Sequence, residues 1–128
     1  MKCPAEITLE VIGGRWKLLI LWQLLQGVKR FSELQRALTG ISQKMLTQQL
    51  REMERDHVIE REVFAQVPPK VEYSLTALGE SLRTVVEAMC EWGIKLRDGK
   101  LTGTLDAPLV GAAANRDAAT PISSNGAR

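Results

Sequence analysis

Thr39-Gly40 sets where this chain must turn. It falls between two helical patterns of unequal length, where glycine permits a tight turn. Ahead of it, Ser32 to Leu38 reads as a short helix, with Ser32 as N-cap and Gln35 at capping-box spacing. Behind it, Ser42 caps a longer helix that runs to about Asp56. A short helix, a glycine-containing turn and a longer helix make the helix-turn-helix pattern. Just upstream, Lys29-Arg30-Phe31 reads as a short strand.

The flanking segments complete the picture. Ile59 to Ala65 reads as a strand, and Val71 to Leu75 alternates with period two as a second. Between them, Gln66-Val67-Pro68-Pro69-Lys70 contains two prolines, which cannot donate to a ladder, so this is a hairpin tip. Thr76 caps a last helix reaching about Arg97. At the other end, Pro4 to Ile12 is helix-compatible and Gly13-Gly14 breaks it. Arg15 to Gln26 follows as a helix ended by Gly27; its stretch from Leu18 to Leu25 is apolar almost all round, as a buried central helix requires. A hairpin directly behind a helix-turn-helix is a wing. The expected fold is mainly α with a small β-hairpin, a winged helix-turn-helix. His57 follows Asp56 where a left-handed residue is expected, and it receives no ligand role.

The 128 residues, 45% hydrophobic, suit one domain with a real core. A net charge of +2 with 25% charged residues excludes a disordered polyelectrolyte. Residues 101–128 hold seven alanines, no aromatic residue, Pro108 and Pro121, and no sustained period. They read as a flexible tail behind a folded segment 1–100. One histidine and two cysteines exclude most metal and acid–base chemistry, and no pattern calls for a cofactor or a catalytic group. No apolar run approaches the roughly 18 residues that span a bilayer, and no signal pattern opens the chain. A cytoplasmic location without membrane contact is therefore expected.

On a 3.6-residue period, Met45, Leu46, Gln49, Leu50 and Met53 share one side of the 42–56 helix. Gln43, Lys44, Thr47, Gln48 and Arg51 share the other, with no carboxylate among them. These side chains suit base edges: glutamine for adenine, lysine or arginine for guanine, the threonine methyl for thymine. An ordinary solvated face has a similar composition, but the short helix before and the hairpin behind favour base reading. Charge follows the same division. Lys29 to Arg51 contains five basic residues and one acid, whereas Glu52 to Glu62 contains five acids and two bases. Positive charge thus collects where a duplex would lie, as phosphate neutralisation requires. Ser42, Lys70 at the wing tip and Arg15 at a helix start are candidate backbone contacts. The partner implied is double-stranded DNA.

Leu78, Leu82, Val85, Met89, Trp92 and Leu96 recur at spacings of four and three, a heptad seam. Val86, Cys90, Gly93 and Ile94 lie on a neighbouring face. One face can pack on its own domain and the other on a twin, or the two can form one broad core face. Cys3 precedes Pro4, a residue favoured at the first position of a helix. Its thiol is thereby placed at a helix N-terminus, whose partial positive charge attracts anions; Lys2 assists and Glu6 opposes. Either a reactive thiol or an idle terminal cysteine fits, while Cys90 reads as an inert residue on an apolar helix.

Cys3-Pro4, Gly14-Arg15-Trp16-Lys17, the stretches Arg30 to Leu34 and Ile41 to Gln48, and above all Val67-Pro68-Pro69-Lys70-Val71-Glu72-Tyr73-Ser74-Leu75-Thr76 stand in one order and spacing. In these motifs the chain resembles the HxlR-type transcriptional regulators, small winged-helix proteins related to the MarR group. The resemblance covers about 1–98 and implies a bacterial, homodimeric, DNA-binding regulator, more often a repressor. It implies a recognition helix over 42–55, a wing over 59–75 and dimerisation through the terminal helices, with Ile7, Val85, Met89, Trp92 and Leu96 at the interface. Several members sense oxidants, quinones or aldehydes through the cysteine that matches Cys3. The resemblance extends that role to Cys3 on condition that its thiol is reactive, with a small electrophile or oxidant as inducer. His57 departs from the family pattern, where glycine commonly follows the aspartate. Two other readings fit the fold: a regulator controlled by a small-molecule ligand, and a winged-helix interaction module without DNA binding.

Overall fold

The computed structural model describes residues 3–101. Helices α1 (Pro4–Ile12) and α2 (Arg15–Leu24) precede strand β1 (Lys29–Arg30). Helices α3 (Phe31–Ala37) and α4 (Gln43–Arg55) form the helix-turn-helix, and β2 (Ile59–Phe64) with β3 (Lys70–Leu75) forms the wing. Helices α5 (Ala77–Glu80) and α6 (Arg83–Arg97) complete the described chain. It falls into two compact units, one through Arg83 and one from Thr84. The tail expected over 101–128 lies, apart from Leu101, outside the described residues.

The core of the first unit is built around α2, as its apolar run predicts. Ile20, Leu21, Trp22, Leu24 and Leu25 are buried there. Leu34 and Leu38 come from the α3 segment, and Leu46, Leu50 and Met53 from the inner face of α4. Gly40 makes the turn between α3 and α4 at φ +92°, a left-handed conformation that other residues rarely adopt. His57 takes the left-handed conformation expected after α4, at φ +62°.

The sheet has three strands in the order β1-β3-β2, antiparallel throughout, so the wing is a hairpin extended by β1. Tyr73 is the pivot: it pairs with Lys29 on one side and Arg61 on the other, and it is buried. The Val67–Pro68 peptide at the wing tip is cis.

Two local expectations are corrected. Ser32 does not cap α3; the helix starts at Phe31, directly after β1, and Arg30 holds the cap position in extended backbone. The Glu33 carboxylate accepts from the Arg30 N–H at 2.8 Å. A carboxylate answers the unpaired donors of a helix N-terminus better than the neutral Ser32–Gln35 pair. The last helix is also not continuous. Thr76 caps it as expected, its Oγ1 accepting from the Gly79 N–H at 3.0 Å, but the helix breaks after Glu80. Ser81 Oγ donates to the Leu78 carbonyl at 2.5 Å, a local bond that competes with the helical ladder. Arg83 binds the Glu80 carboxylate and donates to the Leu25 carbonyl at 3.0 Å, fixing the break to the end of α2. Leu78 of the heptad seam therefore belongs to α5 and not to the helix carrying Val85 to Leu96.

Candidate nucleic-acid interface

Helix α4 has the two faces that its period predicts. Leu46, Leu50 and Met53 are buried, whereas Gln43, Lys44, Gln48 and Arg51 are exposed and Thr47 is half-buried. Ser42 holds the helix start: its Oγ accepts from the Met45 N–H at 3.0 Å. The same hydroxyl keeps its proton to donate, so a phosphate at this end can be bound without loss of the cap.

Two grooves meet along the polar face. One, about 460 Å³, runs between α4 and the wing, with Gln43, Thr47 and Arg51 on the helix side and Arg61, Val71 and Tyr73 on the sheet side. The other follows Gln43, Lys44, Thr47, Gln48 and Arg51 to Glu52 and Arg55. The five side chains expected on one face of the helix are thus brought together.

Three additions go beyond the sequence reading. Arg61 lies within an acidic run, but strand alternation sends Glu60 and Glu62 to the opposite face of β2 and leaves Arg61 with Arg51. Applying that alternation to the sequence would have found it. Arg55 adds a further cation to the end of the face. The grooves also have carboxylates, contrary to expectation: Glu54 lines the first with Arg51 and Arg61, and Glu52 lines the second. Glu52 lies four residues after Gln48, a spacing that puts both on the same side of a helix. Lys17 of α2 reaches Glu52 at 2.7 Å, and Gln48 Nε2 donates to it at 3.3 Å. The Lys17 ammonium, and after it the Gln48 amide, hold the Glu52 carboxyl below the usual glutamate range. This pairing contributes above that range and is lost as the pH falls beneath it.

The remaining candidates differ in their surroundings. Lys70 opens β3 and is not a free cation at a loop tip: its Nζ lies 4.5 Å from the Phe64 ring and 3.6 Å from Glu72. Arg15 is exposed at the start of α2, stacked over Trp16 at 5.1 Å. Cys3 is exposed and holds the N-cap of α1, where its own N–H donates to Glu6 Oε1 at 3.1 Å. Glu6 thus already occupies the positive end of that helix. Ile7 on α1 is exposed. On α6, Val85, Met89 and Trp92 are exposed, Leu96 is half-buried and Val86 is buried. Among the described residues, no helix is long and apolar enough to cross a membrane.

A short helix, a left-handed glycine turn, a capped helix with an exposed polar face and a hairpin behind it define a winged helix-turn-helix protein. Comparison with known proteins sharpens that class. The model of the HxlR-like helix-turn-helix family matches residues 11–100, and the chain belongs to that family. The HTH-type transcriptional regulator YdeP of Bacillus subtilis (strain 168) is 55% identical over 96 residues, 75% of each chain. The redox regulator HypR in its reduced form is 52% identical with a TM-score of 0.72, covering 75% of this chain and 95% of that one. The reduced transcriptional regulator YodB from B. subtilis is 40% identical with a TM-score of 0.65, covering 74% and 94%. These relatives are transcriptional regulators, not enzymes.

Proposed function

We propose that this chain is a cytoplasmic, sequence-specific DNA-binding regulator that represses transcription as a homodimer on a palindromic operator. One observation carries the reading: the exposed face of α4 groups Gln43, Lys44, Thr47, Gln48 and Arg51 behind the Ser42 cap, with Arg61 across the groove. In this reading α4 enters the major groove. Gln43, Lys44, Thr47, Gln48 and Arg51 contact bases and phosphates, and Ser42, Arg15 and Lys70 contact the backbone. Dimerisation uses the exposed apolar side chains of the terminal helices, Ile7 on α1 and Val85, Met89 and Trp92 on α6, with Leu96 at the edge. Two recognition helices about 34 Å apart then meet successive major grooves. A monomer in sedimentation at micromolar concentration would remove the dimer.

Fluorescence anisotropy with duplex DNA from upstream of its own gene tests the interface. Arg51→Ala is expected to weaken binding by about 1–3 kcal/mol. Lys70→Ala is expected to weaken it less and to lower the salt slope by about one unit. Salt-independent, feeble binding by the parent would favour an interaction module instead.

The likeness to HypR, a redox regulator, supports control through Cys3, which is exposed at the start of α1. An adduct or intersubunit disulfide there shifts α1 at the dimer interface and changes the spacing of the recognition helices. Treatment with an oxidant or an aldehyde is expected to alter DNA binding of the parent and to leave Cys3→Ser unchanged. An equal response in both proteins would discard the thiol switch.

A further inference from the structure

Gln48 is exposed on the face that would meet DNA, and its amide is oriented by one hydrogen bond. Its Nε2 donates to Glu52 Oε2 at 3.3 Å, while Lys17 Nζ lies 2.7 Å from Glu52 Oε1. Each carboxylate oxygen therefore holds one donor. Lys17 projects from α2, the buried helix of the core, and its side chain is only 13% exposed. The rigid end of this chain of contacts lies inside the domain, and the adjustable end is the base-reading glutamine.

The chemistry of the three groups fixes the orientation. An ionised carboxylate only accepts hydrogen bonds, so the amide must turn its nitrogen toward Glu52 and its oxygen away. An unrestrained glutamine offers either end. In the major groove, an amide oxygen needs a donor, which adenine supplies at N6 and cytosine at N4. Guanine O6 and thymine O4 are acceptors and repel the oxygen; the second N–H of the amide, not taken by Glu52, still donates, and beside that oxygen it suits adenine N7.

We infer that Glu52, held by Lys17, is a positioning residue that presents the Gln48 amide oxygen to the major groove, so that Gln48 selects a base with an exocyclic amino group. This inference rests on the reading of α4 as the recognition helix. Glu52 acts on affinity and selectivity with opposite signs. Its negative charge opposes phosphate binding, and its hydrogen bond sharpens the choice of base.

Selection from a randomised duplex library, followed by anisotropy titrations of the full chain at fixed salt, tests this. The parent is expected to enrich a motif with adenine or cytosine at one position of each half-site, a preference that Gln48→Ala loses. Glu52→Ala is expected to lose the preference at that same position by about fivefold or more, while its binding to unrelated duplex tightens. Lys17→Arg keeps the preference and Lys17→Met weakens it. Thermal melts report that each variant is folded, and alanine at position 52 suits a helix. A Glu52→Ala motif identical to the parent's overturns the inference and leaves the recognition helix standing. So does a guanine or thymine at the Gln48 position, or a Gln48→Ala motif without change. If the parent enriches no motif, the reading of α4 itself falls, and the role of Glu52 with it.

Discussion

Leu50→Ala is expected to lower the stability of the domain by about 2–5 kcal/mol. Leu50 is 1% exposed and lies on the inner face of α4 with Leu46 and Met53, where that helix packs against α2 and β2. Alanine is the best helix former, so the loss cannot come from helix propensity. It comes from removed apolar contact and from a cavity that the neighbours only partly refill. For a domain of this size each kcal/mol corresponds to roughly 4–8 °C in Tm. Calorimetry of the full chain is therefore expected to show a fall of about eight degrees or more. The polar side of α4 is untouched, so the folded fraction at low temperature should bind DNA with the parent's affinity. A loss of stability under about 1 kcal/mol would mean that the inner face of α4 is not core.

Much of this was legible in the sequence because periodicity reports burial directly. The 3.6-residue spacing of Leu46, Leu50 and Met53 separates the inner face of α4 from Gln43, Lys44, Thr47 and Arg51, and the structure keeps that division. Pro68-Pro69 marks the wing tip, because proline cannot serve a ladder. The failures come from side-chain contacts and facing, which a count along the chain does not register. Lys17 reads as one more cation in the second helix until the fold brings it to Glu52. Lys70 reads as a free charge until β2 places Phe64 opposite it. Arg61 is hidden by a charge count that runs along the chain, whereas a strand sorts charge by face. The break between α5 and α6 follows from Ser81 and Arg83 bonding to carbonyls, which the heptad pattern of apolar residues does not register.

Gly79→Ala is the second large effect, and its sign is set by two opposed terms. Within a helix, alanine is favoured over glycine by about 1 kcal/mol. At position 79, however, a Cβ would stand 2.2 Å from the Val58 carbonyl oxygen and 3.0 Å from Leu75 Cδ2. Leucine can rotate aside; the Val58 carbonyl cannot, because it accepts from the Thr76 N–H at 3.1 Å and lies beside the start of β2. Relief requires α5 to lift from the strand, which also strains the Thr76 hydroxyl that donates to the His57 carbonyl at 2.7 Å. Overpacking of this kind outweighs propensity, and a net loss of about 1–3 kcal/mol is expected in denaturant melts. Gly93→Ala supplies the contrast. Gly93 is interior to α6 and its added Cβ meets nothing of its own chain within 4 Å, so in a monomeric sample the propensity term acts alone and a gain of up to about 1 kcal/mol is expected. Opposite signs for the two substitutions would establish that close approach to Val58, and not helix formation, dictates glycine at position 79. Two gains would show that α5 can withdraw from Val58 and β3 at little cost, and the contact between Gly79 and Val58 would then hold nothing in place.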